Sequence, residues 1–263
     1  MPLISVIMGV YNSDPAKLTA AVDSVLNQSV RDIEFIIYND GSDNETDRIL
    51  SSFTDSRVRL IGSGENKGLA AALNACIDAA KGKYIARQDD DDISLDGRFE
   101  KQVKYLEEHK DIDFIGTACE LYSDSEGVYG ERIMPENIDR RSFLFNSPFI
   151  HGSMMFRRKV FDKHRYRSLG KNRKYEDYDL FMRLCADGYK SGNLSEKLYR
   201  FYYDKKTRAV SFSMRRDEYA VRMNGFKRLG LMPKGFIYAL KPVILGIVPR
   251  RAAMKIKEKT NRV

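Results

Sequence analysis

Hydrophobic and polar positions alternate along the first hundred residues between short continuous apolar runs and the longer period of amphipathic helices. Leu3–Val10 is an apolar run rich in β-branched residues, which is typical of a buried strand. Three more such runs follow, and most end in turns of glycine, serine, asparagine or aspartate. Short loops between strands and helices predict parallel strands with crossover helices, and therefore an open α/β sheet. The further runs are Ile33–Tyr38, Arg57–Ile61 and Lys83–Arg87.

Amphipathic helices connect these strands, because apolar residues recur there at intervals of three and four. The first stripe begins at Leu18, and Pro15 stands before it at a position that favours a helix start. Ser13 or Asp14 is the expected cap of this helix. A second stripe runs from Leu69 to Ala80. Open α/β sheets bind ligands at the carboxyl ends of their strands, where the polar clusters of this half lie.

Beyond residue 95 the pattern is less regular. We expect a main domain over residues 1–205, with a nucleotide-binding half to residue 95 and a second half over 96–205 that continues the sheet. A helical, basic region over 206–263 follows, with a break at Gly230–Pro233. The elements predicted between these boundaries are a helix around Phe99–Leu106, strands at Ile112–Cys119, Ile150–Phe156 and Leu198–Tyr203, and a helix over Tyr175–Ala186.

Charge and composition restrict the partners of the chain. The net charge is +8, of which residues 241–263 carry +6, so the rest is close to neutral and does not resemble a nucleic-acid binder. Three widely spaced cysteines predict reduced thiols in a reducing compartment. The apolar stretch Phe236–Val248 is shorter than the roughly 20 residues that span a bilayer. Without a recognisable signal peptide, we expect a cytoplasmic protein.

The strongest candidate for chemistry is the acidic run Gln88–Asp92, which directly follows the fourth strand. An isolated acidic run is usually a solvated turn, and here it could also cap the helix near Asp96. The position favours a second interpretation. Mg²⁺ and Mn²⁺ prefer oxygen ligands and typically combine one or two carboxylates with substrate phosphates. A strand end in an open α/β sheet suits such a nucleotide-phosphate site.

Two other polar clusters follow strands. Tyr38–Asp43 is explained either as a turn with a helix cap at Ser42 or Asp43, or as a nucleobase or sugar site in which the Asp40 carboxylate accepts hydrogen bonds. Gly62–Gly68 precedes a helix, where glycines allow close approach of an anion, although plain turn chemistry explains it about equally well. Both alternatives stay open for each cluster.

A fourth cluster lies at the start of the helix over Tyr175–Ala186. Asp177 shares a face with Leu180 and Phe181, which should point inward, and a buried carboxylate requires a partner or a function. The alternative is an acid placed in the first turn to match the helix dipole. His151, in an apolar segment, is open to the same two interpretations.

Taken together and in this order, these segments resemble the family 2 glycosyltransferases, inverting enzymes that use nucleotide-sugar donors. The family has the GT-A fold, an α/β architecture with a Rossmann-like, mostly parallel sheet and flanking helices. The resemblance runs from Ile4 to about Tyr203 and is strongest to bacterial enzymes of capsule, exopolysaccharide or O-antigen synthesis. The motifs that carry it are Ser5–Asn12, Asn39–Asp43, Glu65–Leu69, Asp89–Ser94 and Glu176-Asp177.

The resemblance implies roles for individual side chains. Asp89 and Asp91 form an Asp-x-Asp motif in which Asp89 faces the ribose or donor sugar and Asp91 binds Mn²⁺ or Mg²⁺. The middle residue, Asp90, is itself an acid, and we expect it to lie among the residues that bind the donor. Asp177 is the expected general base, and the acceptor binds the half over 96–205. The base pocket is expected at Val10, Tyr11, Asn12 and Asp40, and the closing loop at Asn66, Lys67 and Gly68 with Arg87 beside it. From position in the chain, rather than from the resemblance, we also expect acceptor contacts at His151, Glu176, Arg157 and Arg173.

The expected function is metal-dependent, inverting transfer of a sugar from a nucleoside diphosphate donor, expected to be a UDP-sugar. The acceptor would be a hydroxyl of a saccharide or of a lipid-linked molecule. The apolar and basic C-terminal segment predicts either docking to an anionic membrane surface, on its cytoplasmic face, or a helix that packs on the domain with a frayed end.

The sequence leaves two other classes of function open, an oxidoreductase and a non-catalytic membrane-binding protein. An NAD(P)-dependent oxidoreductase would use the glycines Gly62, Gly64 and Gly68 with Asp89 on a ribose, and Tyr202 with Lys206 has the spacing of a catalytic pair. A non-catalytic protein would use only the basic C-terminal region to bind a membrane surface.

Overall fold

The computed structural model describes residues 1–169, 174–204 and 211–247. Within these ranges nine strands form one sheet, with seven α-helices around it. The strands are β1 (Ile4–Val10), β2 (Ile33–Asp40), β3 (Val58–Ser63), β4 (Tyr84–Arg87), β5 (Ile93–Ser94), β6 (Phe114–Ser123), β7 (Gly127–Arg132), β8 (Met155–Arg157) and β9 (Ser191–Tyr202). The helices are α1 (Pro15–Leu26), α2 (Asn44–Ser52), α3 (Leu69–Ala79), α4 (Arg98–Glu108), α5 (Glu176–Ala186), α6 (Phe212–Arg228) and α7 (Gly235–Ile247).

The sheet has the order β3-β2-β1-β4-β8-β6-β9-β5, and β7 pairs with β6. The first four strands are parallel, as their short crossover helices predict. The short β8 runs antiparallel between β4 and β6, whereas β6 and β9 are parallel. The mostly parallel sheet therefore contains one reversed strand at its centre, and β9 lies beside the segment that follows β4.

Both faces of the parallel half are covered by helices, so its central strands are buried on both sides, as continuous apolar runs require. On one face α1 contributes Leu18 and Val22 to a core shared with Val6. On the other face α3 contributes Leu73 to a core shared with Ile7. The start of α1 confirms one predicted alternative, because the Asp14 carboxylate accepts hydrogen bonds from the backbone of residues 16 and 17 at 3.0 and 3.1 Å.

Several elements differ from the sequence prediction. The predicted strand Ile150–Phe156 is wrong over its first half, since 151–153 is a 3₁₀ turn and only β8 is extended. The Ser153 hydroxyl causes this by donating to the Ile150 carbonyl at 2.9 Å and accepting from the Thr117 amide at 3.1 Å. The acidic run does not cap α4, as one alternative predicted, because the cap residue is Gly97, with φ +74° and no side-chain hydrogen bond.

The C-terminal helices are α6 and α7, separated at the predicted break around Gly230–Pro233. Arg222 of α6 joins them to the domain, since its guanidinium donates to the carbonyls of residues 144 and 145 and lies over the Tyr178 ring of α5. Within the described ranges, no helix has both the length and the apolar character needed to cross a bilayer. The basic residues expected to bind a membrane after 247 lie outside the described residues.

Candidate active site

The acidic run forms the loop between β4 and β5, held from beneath by polar side chains. Arg98 is fully buried and donates to the Arg87 carbonyl at 2.7 Å, the Gln88 side chain at 3.0 Å and the Gly152 carbonyl at 3.0 Å. Its guanidinium also stacks on the Tyr199 ring. Because buried hydrogen bonds to a charged group are strong, this arginine connects the loop to the 3₁₀ turn beside it.

The four carboxylates of the loop have different surroundings. Asp92 is fully buried and accepts from the Tyr202 amide of β9 at 2.6 Å. Asp90 accepts from a serine hydroxyl in the loop after β1, and Asp89 pairs with Arg87. Asp91 and its two preceding neighbours are half-buried. The interpretation of this run as a solvated acidic turn is therefore wrong for Asp92, while the other three acids are partly open to solvent.

Burial and mutual repulsion raise the pKa values of several of these acids. Burial first, and then Asp89 and Asp90, raises the pKa of Asp91 to about 7. Burial first, and then Asp89, also raises the pKa of Asp90. No set of three ligating side chains lies in metal-binding geometry within the described ranges. A crowded acidic loop with few protein ligands fits a Mg²⁺ or Mn²⁺ ion that takes the rest of its coordination from substrate phosphates.

A buried arginine lies behind this loop. The Arg87 guanidinium is 1% exposed and pairs with Asp89 through Nη2. Within the described residues its Nε and Nη1 atoms have no hydrogen-bond partner. Because a buried, unpaired donor is costly, these two atoms indicate a place for a water molecule or a ligand oxygen.

The start of α5 brings two more acids near Arg87. Glu176 is 8% exposed, and burial followed by repulsion from Asp177 raises its pKa to about 7. Asp177 is half-buried, whereas Leu180 and Phe181 on the same helix face are fully buried, so Asp177 reaches the predicted inward position only in part. Glu176 lies one helical turn before Leu180 and is the more deeply buried of the two acids.

His151 and Tyr166 complete the wall between these acids and the loop after β4. The His151 Nε2 atom lies 2.9 Å from the Tyr166 hydroxyl, and the imidazole packs on the edge of Phe181. Burial and the nearby Arg87 lower the pKa of His151. The imidazole is therefore neutral at pH 7 and forms a polar, uncharged surface beside Asp177.

The loops after β1 and β2 are joined where a base pocket is expected. Asn12, with φ +49°, donates through its backbone to Ser42 and accepts through its side chain from the Asp43 amide at 2.8 Å. Tyr11 is exposed, but the Val10 side chain lies in the core, so that only its backbone borders the pocket. Asp43 caps α2, which confirms that alternative.

The Asp40 carboxylate positions the expected closing loop. Its two oxygens accept from the Lys67 and Gly68 amides, both at 2.8 Å. Gly41 has φ +73°, and a Cβ there would lie 2.7 Å from the backbone of residue 65, so the two loops touch. Asn66 and Lys67 have exposed side chains. Asp40 is therefore 3% exposed and bound to its own protein on one side of the pocket.

The geometry places a cation-compatible acidic loop, a buried arginine and a second acidic pair at the carboxyl end of a parallel sheet. The family model for glycosyl transferase family 2 matches residues 5–165 of the chain. This chain belongs to that family. It is 37% identical to EpsE of Bacillus subtilis, named as a glycosyltransferase, over 94% of this chain and 90% of that protein. It is 34% identical to the O-antigen biosynthesis glycosyltransferase WbnJ of Escherichia coli, over 79% of this chain and 82% of that protein.

Solved structures agree on the fold. TarS of S. aureus in complex with UDP-GlcNAc has a TM-score of 0.72 at 16% identity, covering 95% of this chain and 77% of that chain. The mannosyltransferase PcManGT of Pyrobaculum calidifontis, in complex with GDP-Man and Mn²⁺, has a TM-score of 0.63 at 16% identity, covering 98% and 79%. The predicted GT-A architecture, with additional C-terminal helices, is confirmed.

The family 2 assignment identifies the chain as a glycosyltransferase and sets aside the oxidoreductase and the non-catalytic membrane protein. Of the glycines of the proposed dinucleotide site, Gly62 lies at the end of β3, at the edge of the sheet, and Gly64 and Gly68 follow that strand rather than the first strand. Tyr202 belongs to β9, and Lys206 lies outside the described residues.

Sequence reasoning missed several side chains of this glycosyltransferase site. Tyr199 accepts from the Asp89 amide at 3.2 Å, and its hydroxyl leaves room only for glycine at position 152. Arg98 and Tyr166 were missed as well, because Tyr166 lies far from the acidic run in sequence, while Arg98, close to the run, looks like an ordinary charged position at the start of its helix. Arg157 is not on the acceptor side, since it binds carbonyls around the end of α4, and Arg173 lies outside the described residues.

Proposed function

We propose that this family 2 enzyme moves a sugar from a nucleoside diphosphate donor to a hydroxyl group, with inversion at C1, during synthesis of a bacterial surface polysaccharide. The observation that carries the proposal is the acidic loop after β4, with Asp91 partly open and its pKa raised to about 7. The name of the relative WbnJ, an O-antigen biosynthesis enzyme, supports the pathway class.

The donor is a UDP-sugar in this proposal. The pocket formed by Tyr11, Asn12 and Asp40 would hold the base, and the loop of Asn66, Lys67 and Gly68 would close over the nucleoside. Asp40 is buried and already accepts two backbone hydrogen bonds, and each carboxylate oxygen retains a lone pair for a base N–H. The UDP-GlcNAc bound to TarS supports this choice of base.

A divalent cation held by Asp91, with Asp89 and Asp90 nearby, would neutralise the diphosphate as the leaving group departs. The Mn²⁺ bound to PcManGT supports such a cofactor. Within the part of the chain that the structure describes, two nitrogens of Arg87 have no partner, and the third pairs with Asp89. In this proposal Arg87 and the acidic loop are already in place around the diphosphate, so they need not rearrange as the leaving group departs.

Asp177 is the general base in this proposal. An alcohol is too weak an acid to ionise at pH 7, so a carboxylate must take its proton during attack. Asp177 is open enough to meet an acceptor, whereas Glu176 is buried. The neutral His151, fixed by Tyr166, offers the acceptor a hydrogen-bonding surface without a competing charge.

Release of nucleoside diphosphate from a panel of nucleotide sugars, with Mn²⁺ and with EDTA, tests the donor and the metal together. We expect Mn²⁺-dependent release from a UDP-sugar and its loss in Asp91→Asn. Glu108→Gln, an exposed acid on α4, is the matched control and should behave as the parent protein. Release that is equal in EDTA, or unchanged in Asp91→Asn, would contradict the proposal.

We also propose that α6, α7 and the segment after them dock to an anionic membrane surface that presents a lipid-linked acceptor. Large apolar side chains are exposed there, and Lys241 lies among them. Exposed apolar residues beside basic ones suit an interfacial helix. Ile237→Ser with Ile244→Ser should reduce sedimentation with phosphatidylglycerol vesicles, whereas Val128→Ser, exposed on β7, should not. The exposed apolar residues of the two helices are Phe212, Phe236, Ile237 and Ile244, and the exposed Phe145 packs on Tyr238 of α7.

A further inference from the structure

A second polar cavity lies away from the donor site. It has a volume of about 370 Å³ and borders the last turn of α5 and the end of α6. Among the residues that the structure describes, five basic residues, one acid and a histidine line it, and no apolar side chain does. The lining residues are Lys163, His164, Arg165, Arg167, Arg183, Asp187 and Arg228.

The cavity is built on a buried arginine. The Arg183 side chain is 5% exposed, and it is held by Asp179 at 2.7 Å and by the Arg165 carbonyl at 2.7 Å. Arg228 donates to both oxygens of Asp187, at 2.9 and 3.0 Å. Since both guanidinium groups are anchored from within the protein, the cationic wall is in place before a ligand arrives.

Two further basic side chains of the cavity are not held in this way by the protein. Within the described ranges, the side chains of Lys163 and Arg167 make no hydrogen bond or ion pair, although both line the cavity. Asp187 is the sole lining acid among the described residues and is already shared by Arg228 and His164. The cavity therefore holds more positive charge than its own carboxylate can balance.

The shape and the lining select the ligand chemistry. A volume of this size is within the range of small-molecule sites, but the walls provide charge and hydrogen-bond donors rather than apolar contact. Guanidinium groups match the oxygens of phosphate with paired hydrogen bonds. We propose that this cavity binds a phosphate-bearing ligand at a site separate from the donor site.

The position of the cavity separates it from the acidic loop. Asp187 follows Asp177 by ten residues along α5, which corresponds to about 15 Å. Arg165 pairs with Asp78 at the last turn of α3, whose first turn borders the donor loop. The segment 163–167 also contains Tyr166, which contacts His151, so a ligand here would touch the segment that holds the acceptor wall.

Isothermal titration of the full chain with inorganic pyrophosphate in EDTA tests the proposal, because EDTA removes the metal that the donor site needs. Lys163→Ala with Arg167→Ala should weaken binding about tenfold or more, since two charge-assisted contacts are lost. Lys81→Ala with Lys104→Ala removes the same charge from exposed positions and should leave binding unchanged.

Sedimentation with phosphatidic acid vesicles, compared with phosphatidylcholine alone, distinguishes the source of the phosphate. If the Lys163/Arg167 double variant loses pyrophosphate binding, the ligand is a free phosphate compound. If this variant loses only vesicle binding, the ligand is a lipid headgroup. Three outcomes would overturn the proposal. The parent protein would bind neither pyrophosphate nor the vesicles, the two double variants would bind equally well, or Asp89→Asn would lose pyrophosphate binding.

Discussion

The candidate site contains two pairs of neighbouring acids, Asp91-Asp92 after β4 and Glu176-Asp177 at the start of α5. In each pair one acid is buried and the other is partly exposed to solvent. Asp92 and Glu176 point into the protein, whereas Asp91 and Asp177 stay partly open. The inner members share a further feature, since the Asp92 Oδ2 atom and the Glu176 Oε2 atom both lack a hydrogen-bond partner within the described residues. Asp92 accepts from the Tyr202 amide of β9 through its other oxygen. The comparison indicates that both inner acids are buried at a cost to stability, and that Asp92 also connects its loop to β9.

The largest expected effect separates the two acids of α5. Asp177→Asn should lower turnover by about 10²–10⁴-fold, because an amide cannot take the proton of the acceptor, while donor affinity is retained. Glu176→Gln should change turnover by less than about tenfold. Steady-state kinetics with donor binding measured by titration provides the test. A greater loss of turnover in Glu176→Gln than in Asp177→Asn would reverse the assignment.

A smaller effect separates the two acids of the loop. Asp92→Ala should reduce the free energy of unfolding by about 1–3 kcal/mol, since the buried Tyr202 amide loses its acceptor. Asp91→Ala should leave stability unchanged or raise it, because repulsion from its neighbours is relieved. Urea unfolding in EDTA measures both values. Equal destabilisation by the two changes would contradict the division.

The smallest effect is the pH dependence of stability. The pKa of Glu176 is raised from 4.5 to about 7 by folding, so the folded state binds the proton more tightly. The stability contributed by the protonated form is fully present below pH 4.5 and is lost as the pH rises through 7. The loss is on the order of 1–3 kcal/mol for one such group.

Thermal unfolding in EDTA between pH 5 and 8 measures this effect. The melting temperature of the parent protein should fall over this range, and Glu176→Gln should reduce the slope. Glu108→Gln, at an exposed position, should leave the slope as it is. A parent-like slope in Glu176→Gln would show that Glu176 does not have the raised pKa.

The sequence predicts most of the parallel half because its signals are local. A few consecutive residues are enough to identify the apolar runs of β1, β2 and β4 and the polar turns that follow them. The structure confirms these strands. The same is true of the helix start at Asp14 and of the break around Gly230. The acidic run and the acids of α5 are also visible in the sequence as candidate chemistry.

Tertiary structure alone decides which of these acids is buried and what holds them. Tyr199 and Tyr202 reach the acidic loop from over 100 residues away, and Arg98, which looks like an ordinary surface position in its helix, is fully buried under it. Sequence periodicity predicts the face of an element but not the neighbour that covers it. Burial and charge pairing depend on that neighbour, and so packing alone decides that Glu176 is buried while Asp177 beside it stays half-buried.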